Sequence, residues 1–257
     1  ILAPRAAPRS DLCQSAHRFA LVKARAPRIN TAMRVLLLAL LFLAACGRPL
    51  TEQERAFAYG IHGETLNYAA VRLHDGAPVR AVTFTRKPRP RTTCRELIFP
   101  PVPEESIVTT KPAAVALYNT VLFDKDWYLD DYLPDYPDRV GLVAAMLFAH
   151  ELTHVWQWQN RRVTGYSPLR AALEHSASDD PYLFELEDRK FLDFGYEQQG
   201  SIVEEFVCCR ALQPQGARTQ RLHGLISQVM PVARLPQSPA YNVGLPWEGV
   251  ELASICK

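Results

Sequence analysis

The segment His150-Glu151-Leu152-Thr153-His154 constrains this chain more than any other feature. On a helix, residues four apart stack one turn above each other on the same face. Two imidazoles so placed can hold one tetrahedral zinc, at about 2.0–2.1 Å each. Glu151 lies about 100° round the helix from His150. From there its carboxylate can take a proton from water polarised by the ion without being a ligand itself. The run before the motif, Val140 to Ala149, is apolar or small throughout. Val143 and Leu147 share the histidine face, which predicts a buried core helix from about Pro137 to Arg162. Asp138 is placed to cap it and Gly165 to end it. The run is too short to cross a membrane.

A hydrolytic zinc takes three protein ligands and leaves one position open. A third histidine six residues after the second is ruled out, because position 160 is Asn160. The candidates are Glu185, Glu187, Glu197, Glu204 and Glu205, with His175 as an outsider. Gly200 and Ser201 follow Glu197 by three and four residues and leave room for another helix to approach its face. Ile202, Val203, Phe206, Cys209 and Arg210 cluster on roughly the opposite side. One side of this helix can then pack on the core while the other closes over a metal. Glu204 lies two turns further along the Glu197 stripe. It is the alternative ligand, or a hydrogen-bond partner for His150 or His154 from behind. Tyr182, Tyr196 and His175 are unranked candidates for stabilising an oxyanion.

Other elements follow from local signals. Thr51 and Glu54 form a capping box for a first helix running to about Ile61, with Gly60 and Gly63 to end it. Val71 to His74 and Val79 to Thr85 alternate and read as two strands joined by a turn at Asp75-Gly76. Arg95 to Phe99 reads as a third strand. Asp124 to Asp138 is acidic and aromatic, lacks a calcium-loop pattern, and reads as a packed loop. Further helices are expected near Leu169–His175, from Gly195 to Leu212, and from Arg218 to Val229. The proline-rich tail, 231–257, is expected to be irregular.

Residues 1–32 read as an untranslated or disordered leader, and 33–45 as an export signal with an apolar run from Val35 to Leu43. Leu43-Ala44-Ala45-Cys46 resembles a bacterial lipobox, which makes Cys46 the expected lipidation site. The expected location is the cell envelope, facing the periplasm, with the outer membrane as default. Seven of the 29 Lys and Arg, but one of the 27 acids, fall in residues 1–45. The remainder is therefore mildly acidic, and nothing in it points to nucleic acid. Cys94, Cys208, Cys209 and Cys256 can form one or two disulfides in an exported chain, with the pairing open. Cys208 and Cys209 point about 100° apart on a helix, so they do not ligate one ion together.

Leu152-Thr153-His154-Val155-Trp156-Gln157 and Gly195-Tyr196-Glu197-Gln198-Gln199-Gly200-Ser201 resemble the motifs of a bacterial family of vgr-related proteins, similar to the eCIS-core metalloprotease domain. Pro49-Leu50-Thr51 and Val71-Arg72-Leu73-His74 resemble its opening. The likeness spans roughly Arg48 to Leu212 and omits the leader and the cysteine-bearing tail. It implies an α+β, zincin-like domain over 46–230. In that fold the H-E-x-x-H helix packs on a second, ligand-bearing helix beside a small antiparallel β region. It implies Zn2+ and a hydrolase-like site, and the resulting expectation is an ion held by His150, His154 and Glu197, with Glu151 catalytic and a peptide or protein substrate. The competing expectation is a non-catalytic module braced by zinc.

Overall fold

In the computed structural model, which describes residues 47–85, 91–101, 107–178 and 180–257, the chain enters the fold at α1 (Glu52–His62). Its capping box forms as the sequence predicts. Thr51 Oγ1 accepts from the Glu54 N–H at 3.1 Å, and the Glu54 carboxylate accepts from the Thr51 N–H at 2.9 Å. Buried Glu54 also pairs with Arg48 and accepts from the Tyr132 N–H, which ties the helix start to the loop after Asp124. The helix runs through Gly60 and stops at Gly63, whose φ of 50° suits glycine.

β1 (Arg72–Asp75) lies parallel to β5 (Thr120–Phe123), which pairs antiparallel with β4 (Ala114–Leu117). This sheet is therefore mixed rather than antiparallel. β2 (Val82–Thr85) pairs with β3 (Ile107–Thr110) in a separate antiparallel ribbon, so the expected β1–β2 hairpin does not form. After β1 the N–H groups of Gly76 and Ala77 both donate to the Phe123 carbonyl. The chain thus continues along β5 instead of turning back.

The expected strand at Arg95–Phe99 is instead a one-turn helix, α2 (Cys94–Leu97). Glu96 accepts from the Thr93 N–H and Oγ1, and the N–H groups of Cys94 and Arg95 donate to Glu205. Backbone donors committed to side-chain carboxylates cannot serve a ladder.

Short strand β6 (Arg139–Gly141) leads into α3 (Leu142–Gln159), so that helix starts later than expected and Gly141, not Asp138, stands at its cap. Asn160 ends it, α4 (Arg161–Thr164) follows, and left-handed Gly165 closes that turn. Ser167 caps α5 (Pro168–Ala177). α6 (Tyr196–Leu212) and α7 (Ala217–Ile226) complete the α-helices among the described residues.

α3 and α6 form the centre of the described fold. From Phe148 to Gln157 every side chain of α3 is buried, and α6 buries Gly200 and Ser201 on one side and Ile202, Val203 and Phe206 on the other. Burying a residue such as Phe148 or Phe206 is worth about 1.5–3 kcal/mol.

The tail, expected to be irregular, carries β7 (Asn242–Gly244), which pairs in parallel with β6. Cys94 bonds Cys208 and Cys209 bonds Cys256. Adjacent cysteines that point apart on α6 thus take different partners. The leader, the export signal and Cys46 lie outside the described residues. Among the described residues no helix is long and apolar enough to cross a membrane.

Candidate metal centre

His150 and His154 project from successive turns of α3 with their rings 5.0 Å apart. Opposite them, the first turn of α6 supplies Glu197. The three donor atoms form a near-equilateral triangle. Nε2 of His150 and Nε2 of His154 are 3.2 Å apart, and Glu197 Oε2 is 3.3 Å from each. Bonds of 2.0–2.1 Å at tetrahedral angles require donors about 3.3–3.4 Å apart. The donor set, two imidazoles and a carboxylate, and its spacing both fit a zinc ion.

The other ring nitrogens are occupied from behind. His154 Nδ1 lies 2.9 Å from Gln157 Oε1. Gln157 in turn donates to the Tyr196 carbonyl and to Gln199 Oε1, and Gln199 donates to the Phe194 carbonyl. His150 Nδ1 lies 3.3 Å from Glu204 Oε2, which accepts from Arg95 Nη1 at 2.8 Å. An acceptor at Nδ1 fixes the proton there and leaves the Nε2 lone pair facing the cluster.

The close approach of the two helices depends on Gly200. A Cβ at that position would lie 2.8–3.0 Å from Cε1, Nε2 and Nδ1 of His150. Glu151 is also buried, and its Oε2 has no hydrogen-bond partner among the described residues.

Electrostatics reflect an acid-rich pocket. Burial alone would lower the pKa of His150, but Glu197 and Glu204 outweigh it and hold the imidazole at about 10. The same contest, with Glu197 dominant, raises His154. Burial pushes Glu197 and Glu204 up. His154 and His150 outweigh it at Glu197 and hold that group well below the carboxylate range. Arg95 and His150 hold Glu204 at about 2. Burial, opposed by the histidines, raises Glu151. Either protons on the imidazoles or a divalent cation held by neutral imidazoles would balance these carboxylates.

The remaining sequence candidates lie elsewhere. Glu185 and Glu187 are exposed. Glu205 is fully buried but accepts from Cys94, Arg95 and Arg218. His175 meets the Tyr182 hydroxyl at 3.2 Å, and the Tyr182 ring sits 6.0 Å from that of His150. Tyr196 turns its hydroxyl toward the Thr164 carbonyl. Among the three oxyanion candidates, Tyr182 is the one whose ring packs near His150. Sequence reasoning missed Arg95, Gln157, Gln199 and Tyr166, whose ring stacks on His154 at 6.3 Å. Gln157 and Gln199 stood inside the recognised motifs, but only their contacts show what they hold. The sulfurs of Cys94, Cys209 and Cys256 also lie within 4.8 Å of one another, but all are spent in disulfides.

The site thus defines a candidate zinc centre built across two helices. No family model matches the chain. It is similar to the type VI secretion system spike protein VgrG2b of Pseudomonas aeruginosa, at 29% identity over 190 residues, which are 71% of this chain and 15% of that protein. The chain therefore corresponds to a small part of that relative. Among solved structures it resembles the effector domain of Pseudomonas aeruginosa VgrG2b, at 22% identity and a TM-score of 0.44, over 76% of this chain and 95% of that one.

Proposed function

We propose that this chain is a zinc-dependent metallopeptidase in which His150, His154 and Glu197 hold the ion and Glu151 is the general base. The observation that carries the reading is the 3.2–3.3 Å triangle of donor atoms beside a buried carboxylate oxygen with no partner. Bound zinc would supply Lewis acidity, lowering the pKa of water and polarising a peptide carbonyl. The chain's own residues do the rest. Gln157 and Glu204 keep the two imidazoles in the tautomer that turns Nε2 inward. Glu151 takes a proton from the attacking water and passes it to the leaving amine. Burial raises its pKa, which favours taking up the proton it must carry. Tyr182, braced by His175, is the side chain best placed to donate to charge developing on the carbonyl oxygen.

Two disulfides support export to an oxidising compartment. The likeness to part of a type VI secretion spike protein supports a role as an exported effector linked to such a system. Lipid attachment at Cys46, facing the periplasm, belongs to the same proposal.

Near-complete burial of His150, Glu151 and His154, each 6% exposed, favours a second reading in which zinc only braces the two helices. Zinc content and cleavage of a peptide library, for wild type and Glu151→Gln, separate the two. The enzyme reading expects one zinc per chain in both proteins and cleavage by wild type alone. Zinc without cleavage in either leaves the brace. A wild type that binds no zinc defeats both.

A further inference from the structure

We propose that Arg95 is a positioning residue for His150, acting through Glu204. The Cys94–Cys208 disulfide holds Arg95 there, so the metal ligands stay in register only in the oxidised protein. The inference rests on the metal-centre reading and extends it to a part of the chain with no ligand of its own.

Arg95 Nη1 donates to Glu204 Oε2 at 2.8 Å and to Ser201 Oγ at 3.3 Å, and the same Glu204 oxygen lies 3.3 Å from Nδ1 of His150. One oxygen thus links the guanidinium to the imidazole. Glu151, Glu197 and Glu204 crowd one largely buried pocket, so their carboxylates repel one another. The guanidinium supplies the compensating charge. It also fixes the Glu204 oxygen that faces Nδ1 of His150, behind the ring.

Arg95 stands on α2, a helix of four residues. One turn cannot sustain itself in water. Its covalent anchor and two of its backbone hydrogen bonds run to α6. Cys94 is bonded to Cys208, one turn beyond Glu204 on that helix. The N–H groups of Cys94 and Arg95 reach the two oxygens of Glu205 at 2.9 and 3.2 Å, and Arg218 Nε holds Glu205 at 2.6 Å. The disulfide is the covalent member of this set, and it joins residues 114 apart in sequence, a separation at which a cross-link removes much chain entropy. A dithiol reductant would pass two electrons to the S–S bond, which takes up two protons to give two thiols. The reductant itself closes to a disulfide. With that bond gone, Arg95 keeps only hydrogen bonds and packing to stay on Glu204. Tight metal binding would then await oxidation.

The test uses the full chain with its disulfides formed. Competition with a chromophoric chelator gives Zn2+ affinity, and Co2+ in place of zinc reports ligand geometry through its visible absorption bands. Arg95→Gln should weaken Zn2+ binding about 10–100-fold, the range for groups that orient metal ligands, and should shift the Co2+ bands. Arg95→Lys should recover most of the loss, because one nitrogen of Arg95 makes both contacts. Cys94→Ser/Cys208→Ser, which retains Cys209–Cys256, should show a comparable loss. Adding Arg95→Gln to it should cost little more, since both changes act through one pathway. Circular dichroism checks folding, and if the serine variant does not fold, the two Arg95 variants decide. Wild-type affinity with unchanged Co2+ bands in Arg95→Gln would overturn the proposal. So would Arg95→Lys binding no better than Arg95→Gln, or fully additive losses. A wild type that binds no Zn2+ would instead remove the metal centre on which it stands.

Discussion

The imidazole of His150 occupies the space that a side chain at Gly200 would fill, with three ring atoms 2.8–3.0 Å from where its Cβ would be. A glycine inside a helix costs about 0.5–1 kcal/mol relative to alanine. Here it lets the ligand helix and the motif helix meet. Gly200→Ala is expected to leave the helices formed but to displace His150. Zn2+ affinity should then fall at least tenfold by chelator competition, even though alanine favours helix. Unchanged affinity would show that His150 can move without consequence.

Glu197 and Glu204 both touch His150, but through different nitrogens. Glu197→Ala removes a corner of the donor triangle, whereas Glu204→Ala removes a partner behind the ring. Outer contacts typically change affinity 10–100-fold. Glu197→Ala is expected to exceed that range and Glu204→Ala to stay within it. Competition titrations on both variants would reveal a reversed order, which would make Glu204 the ligand.

A ligand that binds only the folded state raises the melting temperature. EDTA is expected to lower the melting temperature of the zinc-loaded wild type by several degrees and that of Glu197→Ala hardly at all. Scanning calorimetry of the four samples checks this. Equal shifts in both proteins would mean that the stabilising ion sits somewhere else.

His62 on α1 is 1% exposed, and neither ring nitrogen has a hydrogen-bond partner among the described residues. Burial lowers its pKa from 6.5 to about 3. Below its unfolded value the unfolded chain binds a proton there that the folded chain refuses. Stability should therefore fall as pH drops from 6.5 toward 3, by at most about 1.4 kcal/mol per pH unit from this group. His62→Leu should flatten that limb. Melting curves from pH 7 to 4 compare the slopes, and parallel slopes would exclude His62 as a contributor.

Local signals carried far in this chain. The Thr51–Glu54 box, and Gly63 and Gly165 at helix ends, are decided within four residues, so their helices were legible. Arg95–Phe99 misled because the N–H groups of Cys94 and Arg95 are claimed by Glu205, more than 100 residues away, and those of Glu96 to Phe99 bond back to Thr93, Cys94 and Glu96. The β1–β2 hairpin misled for a similar reason, since the partner of β1 is β5.

By itself the sequence determined that His150, Glu151 and His154 share one buried helix, because the helical period is a property of the backbone and needs no distant partner. It narrowed the opposing carboxylate to a few acids and left four cysteines without pairings. Only the tertiary structure decided that Glu197 closes the donor triangle, that Glu204 and Arg95 stand behind His150, and that Cys94 reaches Cys208. These contacts depend on how α3, α6 and α2 meet in space. That meeting is set by the packing of side chains far apart in the chain, such as His150 over Gly200, and no local pattern encodes it.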